Sequence, residues 1–145
     1  MNKPKFEWLP EEGTAICTLK NPTTNKEYIG IASCHDDDLD MCSEKVGCEI
    51  ALRRATIEVY KDMRDIRKAE LQALKQLFYS INMSKKYNAY SYEARMLKRQ
   101  IKIKESDLTL AKELLEEERK NLKEYLDSKD LMYQGIRARR NKGQD

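Results

Sequence analysis

Apolar and polar positions alternate in two short runs near the start of the chain, and from about residue 43 onward the apolar positions recur every three or four residues instead. Thr14–Lys20 and Tyr28–His35 are rich in β-branched residues, and the Asn21, Pro22 and Asn25 between them suit a turn, so the pattern predicts an antiparallel hairpin. Phe6–Leu9 adds a short edge strand that Pro10 and Gly13 end. Two strands are marginal in water and need a helix across one face. Ser43 is placed to cap a helix that opens at Glu44. Its stripe of Val46, Ile50, Ile57 and Tyr60, interleaved with the small residues Gly47, Ala51 and Ala55, is suited to close packing on a sheet.

From Thr56 to about Ile81 the helical pattern runs without Gly or Pro, with Met63, Ile66, Ala69, Leu74, Leu77, Phe78 and Ile81 at helical spacing. Periodicity is lost over residues 82–88, after which Ser91 is a cap for a second helix with Glu93 in its first turn. In that helix Ile101, Leu108, Leu115 and Leu122 recur every seven residues, beside a mixed column of Leu97, Lys104, Ala111, Glu118 and Tyr125. A mixed column suits a helix packed among several neighbours better than a strict two-stranded coiled coil. Ser106 and Asp107 would allow a break near Glu105. The expected class is α+β: an N-terminal antiparallel β-hairpin or small sheet packed on a helix, followed by a long helical hairpin. Residues 1–145 form one domain, with a β-rich part over 1–42, long helices over 43–129 and a basic tail over 130–145. The helices carry more apolar surface than two strands cover, so a homo-oligomer is expected, a dimer or an assembly as large as a hexamer.

The charged fraction of 37% exceeds the roughly 25% of ordinary domains, as long solvated helices require. A net charge of +3 on interspersed signs is too weak for a polyanion-binding stripe, which argues against nucleic acid but leaves small anions open. Cys17, Cys34, Cys42 and Cys48 form no C-x-x-C pair and follow no secretory leader, which favours reduced thiols over a disulfide framework. No apolar run approaches the roughly 18 residues of a membrane span. The expected location is the cytoplasm, with no membrane partner.

Candidate chemistry is concentrated in one place. Half of the chain's tyrosines lie between Tyr79 and Tyr92, although aromatic residues make up only 8% of the chain. Phe78, Asn88, Tyr90, Arg95 and Arg99 bring a stacking face, an amide and two guanidiniums to the junction of the helical patterns. Such a set can stack a purine, hydrogen-bond a base edge or ribose, and pair phosphates. The structural alternative is that these rings plug the open end of the helical hairpin. Arg53 and Arg54 flank small residues of the first helix, and each needs an anionic partner, either an internal one such as Glu49 or Glu58 or a ligand phosphate. Asp36, Asp37, Asp38 and Asp40 beside His35 resemble a metal site only loosely. Carboxylates ahead of a helix N-terminus are already favoured by its dipole, so no metal or cofactor is expected. With one His, no G-x-S-x-G and no phosphate-binding loop, no nucleophile has a visible activating partner, and the chain reads as a binding protein and not an enzyme.

The stretches Gly30–Asp40, Gly47–Ala55, Phe78, Asn88 and Ser91–Gln100 resemble the first-described type of Thoeris anti-defence proteins of phages, over roughly Thr14 to Leu122. That resemblance implies a small oligomer in the host bacterial cytoplasm, with a β-rich front and long helices. Such an oligomer acts as a sponge: it binds the cyclic ADP-ribose isomer made by TIR-domain immune proteins without degrading it. Some members also hold cyclic di- or trinucleotides at a separate site. By the same resemblance Phe78 is the adenine-contacting aromatic, Asn88 a polar ligand contact, and Arg53, Arg95 and Arg99 phosphate partners. Asp36 stands where such proteins often carry Pro, which puts the second nucleotide site in doubt.

Two other classes fit parts of the pattern. A hairpin followed by a helix with small residues and Arg resembles a truncated double-stranded-RNA-binding module, yet the Lys cluster such a module needs at the helix start is missing. A helical adaptor that binds another protein is the second alternative.

Overall fold

The structure is a computed structural model and describes residues 3–22, 24–34, 43–83 and 92–142. Three strands, β1 (Lys5–Leu9), β2 (Thr14–Lys20) and β3 (Glu27–Ser33), precede two helices, α1 (Glu44–Met83) and α2 (Tyr92–Lys142). The chain divides into two compact units, one formed by Met1–Val59 with Glu117–Asp145 and the other by Tyr60–Glu116. Among the described residues no helix is long and apolar enough to cross a membrane.

In the first unit the strands form an antiparallel sheet in the order β1-β2-β3, so the edge strand read from Phe6–Leu9 is present. Register pairs Ala15 with Ala32, Cys17 with Gly30 and Leu19 with Tyr28. All six of these residues are buried on one face, as period-two alternation requires. The β2–β3 turn is closed by Asn25 N–H donating to Asn21 O (2.8 Å) and Asn21 N–H to Lys26 O (2.9 Å). Asn25 adopts φ 58°, a left-handed conformation that Asn tolerates better than most residues. Gly13, also at φ 58°, ends the β1–β2 turn, and its carbonyl accepts from Cys34 N–H at 2.8 Å.

The helix opens where the capping pattern places it. Ser43 Oγ accepts from Val46 N–H at 3.3 Å, which satisfies one of the donors left over at a helix start. The small residues of the stripe do the packing: Ala51, Ala55 and Val59 join the sheet residues in one buried cluster, with Trp8, Cys48, Ile50 and Leu52 packed around it. A Cβ on Gly30 would lie 2.0 Å from the Ala51 carbonyl oxygen and 2.4 Å from the Ala55 nitrogen. The helix backbone therefore rests directly on the strand. At Gly47 a Cβ would meet the Trp8 ring at 3.1 Å, a second close approach one turn earlier. Arg54 fastens the same contact from the side, donating to the Ile31 carbonyl on edge strand β3 at 2.6 Å.

The second unit is an antiparallel helical pair. Glu70 meets Lys104 at 2.6 Å and Lys75 meets Glu105 at 3.8 Å across it. Leu71 of α1 is buried, as are Ala94, Leu97, Leu108, Ala111 and Leu115 of α2. Both seven-residue columns thus face inward here, and Lys104 is tolerated in the mixed column because Glu70 pairs with it. The break allowed near Glu105 does not occur. Ser106 Oγ donates back to the Lys102 carbonyl at 3.2 Å, inside a helix held by Leu108 and Leu115. The basic segment expected as a tail from residue 130 is likewise helical as far as Lys142.

Two glycine substitutions should move stability in opposite directions. Gly30→Ala forces the helix off the strand and should cost about 1–3 kcal/mol or more. Gly135→Ala, in a helix with nothing within 4 Å of the added methyl, should gain about 0.5–1 kcal/mol. Urea unfolding followed by circular dichroism measures both; equal effects would remove the close-packing account.

Candidate functional site

Of the six residues expected at a ligand site, three that are described, Phe78, Arg95 and Arg99, lie in the second unit. Phe78 is half-buried near the C-terminal end of α1. Arg95 is exposed in the first turn of α2, and Arg99 is exposed one turn later. Counting from the Glu70–Lys104 pair toward the hairpin end, Phe78 stands at the axial height of Met96, between the levels of the two arginines but not on their face, since the buried residues of those turns of α2 are Ala94 and Leu97. Neither Arg95 nor Arg99 has an ion-pair partner among the described residues. The start of α2 adds the positive end of a helix dipole, so this end of the pair favours negative charge. Asn88 and Tyr90, like the acidic run at residues 36–40 with His35, lie outside the described residues.

The surface there is open and apolar. Tyr79 (65%), Tyr92 (66%) and Met83 (68%) expose about two thirds of their area. Rings that plug a hairpin end would be buried, so these two tyrosines do not serve as a plug.

Arg53 belongs to the first unit and is already engaged. Glu49 Oε1 lies 3.0 Å from its Nε, and its guanidinium sits over the Tyr125 ring at 5.0 Å. The carboxylate stands off the N–H axis, so Nε is buried without a hydrogen bond. A phosphate at Arg53 would have to displace Glu49, which makes its structural role the stronger one. Tyr125 could not have been found as its partner from sequence, because no local spacing links positions so far apart.

Two thiols are free, Cys17 and Cys48, and burial raises the pKa of each above the usual range, with the neighbouring Cys48 adding to the effect at Cys17 and Glu44 at Cys48. Neither is poised as a nucleophile. Against the expectation of reduced thiols, Cys34 is disulfide-bonded. Pairing depends on where the fold brings sulfurs together, which spacing along the chain does not reveal. Among the described residues no cluster of three or more potential metal ligands occurs.

Beside the helical seam runs an open groove of about 500 Å³, lined by Glu70, Ala73, Leu74, Gln100, Ile103 and Lys104. It contains none of the expected ligand residues. Its charge is balanced within the pair: Lys104, helped by Arg67, holds the Glu70 carboxyl below its ordinary pKa. No protein-family model, curated protein or solved structure matches the chain.

The Glu70 shift carries a sign that can be checked. A carboxyl whose folded pKa is depressed contributes stability above its unfolded pKa and loses it as pH falls through the folded value. Wild-type stability should therefore decline on acidification below the ordinary Glu range, and Glu70→Gln should flatten that part of the profile. An unchanged slope in Glu70→Gln would show that the pair contributes nothing.

Proposed function

We propose that the protein is a binding protein that sequesters a cyclic ADP-ribose-type signalling nucleotide without degrading it, and so blocks the TIR-based immunity that uses the signal. The observation that carries this reading is that Phe78 stands at the axial level of the exposed Arg95 and Arg99, neither of which has an ion-pair partner among the described residues, at one end of an antiparallel helical pair. The resemblance of the sequence to phage Thoeris anti-defence proteins names the ligand class. Adenine stacks on Phe78, Asn88 supplies a polar contact, and the arginines neutralise the pyrophosphate with charge-assisted hydrogen bonds. Binding of this kind needs no general acid, base or nucleophile, so the ligand leaves as it entered. Enclosure sufficient for tight binding comes from a second subunit, because one exposed helical end buries too little of a ligand that size.

Mixing the protein with the cyclic ADP-ribose isomer should deplete free ligand, and heating should return it chemically unchanged. A modified product would make the protein an enzyme, and no depletion would remove the reading. Phe78→Ala removes a stacking contact of about 1–3 kcal/mol and should weaken binding roughly tenfold or more, with helicity retained. Arg95→Ala should act similarly through the phosphates, and Asn88→Ala through the base edge or ribose.

A further inference from the structure

Two free thiols of the first unit meet under one turn of α1. Cys17 of β2 is fully buried on the inner face of the sheet, two residues along from Ala15 and paired with Phe6 of β1 and Gly30 of β3. The helix lies directly over this patch: a Cβ on Gly47 would stand 3.3 Å from Ala15 Cβ, and the Ala51 carbonyl rests against Gly30. Cys48 belongs to the same turn, between those two contacts. It stands about 120° round the helix from Arg54, which reaches outward to the Ile31 carbonyl at the open edge of β3. That leaves Cys48 turned toward β2 and β1, where it packs against the buried cluster that contains Cys17. The two sulfurs are close enough for Cys48 to raise the pKa of Cys17.

From this we infer that Cys17 and Cys48 are a dithiol that an external disulfide oxidant converts to a second disulfide, one that ties β2 to α1 across the core. Access divides the work. Cys48 is half-buried and can be reached from solvent, whereas Cys17, at 0% exposure, can be reached only by its neighbour. With oxidised glutathione the Cys48 thiolate attacks one sulfur and releases one glutathione thiolate; the Cys17 thiolate then attacks the Cys48 sulfur of the mixed disulfide and releases the second. Each cysteine thiol gives up one proton, and the two electrons leave with two molecules of reduced glutathione. Burial raises both pKa values, so the first attack is slow at neutral pH and the pair stays reduced unless the oxidant is in excess. Once formed, the bond closes a loop from strand to helix and holds shut the contact that Gly30 makes possible. The inference rests on the first unit alone and does not require the nucleotide reading.

Thiol mapping of the full chain after incubation with excess oxidised glutathione tests it. In the untreated protein both Cys17 and Cys48 should take up N-ethylmaleimide once unfolded. After oxidation both should escape it, and a digest without reductant should contain one peptide pair joined Cys17 to Cys48. In Cys17→Ala, Cys48 should stop at the glutathione adduct. In Cys48→Ala, Cys17 should stay unmodified in the folded protein. Thermal unfolding read by Trp8, the chain's one tryptophan, should move up by roughly 10 °C in oxidised wild type and should not move in either oxidised variant. Thiols that stay free after prolonged oxidation, linkage of Cys17 or Cys48 to another cysteine instead, glutathione on Cys17 in Cys48→Ala, or a melting shift that survives either substitution would each overturn the proposal. The wild-type map decides the matter should either variant fail to fold.

Discussion

The first unit depends on a missing side chain. Gly30 lets the backbone of α1 lie against β3 at Ala51 and Ala55, closer than any Cβ would permit. Once the helix is that close, a three-stranded sheet, too small to hold a core by itself, closes over Ala15, Cys17, Leu19, Tyr28 and Ala32. Small residues on the helix and glycine on the strand exchange side-chain bulk for proximity. Trp8 and Arg54 then seal the contact, one packed against Gly47 and the other bonded to the exposed edge of β3. The cost is intolerance: a packing built on backbone contact has no side chain that can move aside.

The second unit solves a different problem. Two helices with only a modest apolar seam are bridged by charge, Glu70 with Lys104 and Lys75 with Glu105. Such pairs at a partly exposed seam contribute little energy each. The Glu70–Lys104 pair, the closer of the two at 2.6 Å, sets the axial level of the residues around it. By that pair Phe78 stands at the height of the first two turns of α2, where Arg95 and Arg99 emerge.

Much of this was legible in the chain. Alternation in Thr14–Lys20, the turn residues Asn21 and Asn25, the Ser43 cap and the small-residue stripe of α1 each predicted the element that formed. So did the two seven-residue columns of α2. What sequence did not reveal was non-local. Nothing around Gly30 signals that a helix will cross it, nothing near Arg53 points to Tyr125, and nothing in the cysteine spacing announces the bonded Cys34. The break read at Ser106 failed because a local capping signal was outweighed by burial of Leu108 and Leu115 on the continuous helix. At the candidate site the residue types were legible, and the register of Phe78 against Arg95 and Arg99 came only with the Glu70–Lys104 pair. Arg53, grouped with them by type, is tied instead to Glu49 and Tyr125.

The proposed sponge needs a site that recognises without reacting, and an aromatic ring with guanidiniums is a set of groups suited to that need. Arginine does not deprotonate near neutral pH, and a phenyl ring offers no nucleophile. The most direct measurement is hydrogen exchange of the backbone amides with and without the cyclic ADP-ribose isomer. The account predicts ligand-induced protection concentrated at the end of α1 around Phe78 and the first two turns of α2 through Arg99. Protection confined to the sheet and the first turns of α1, or none at saturating ligand, would contradict it.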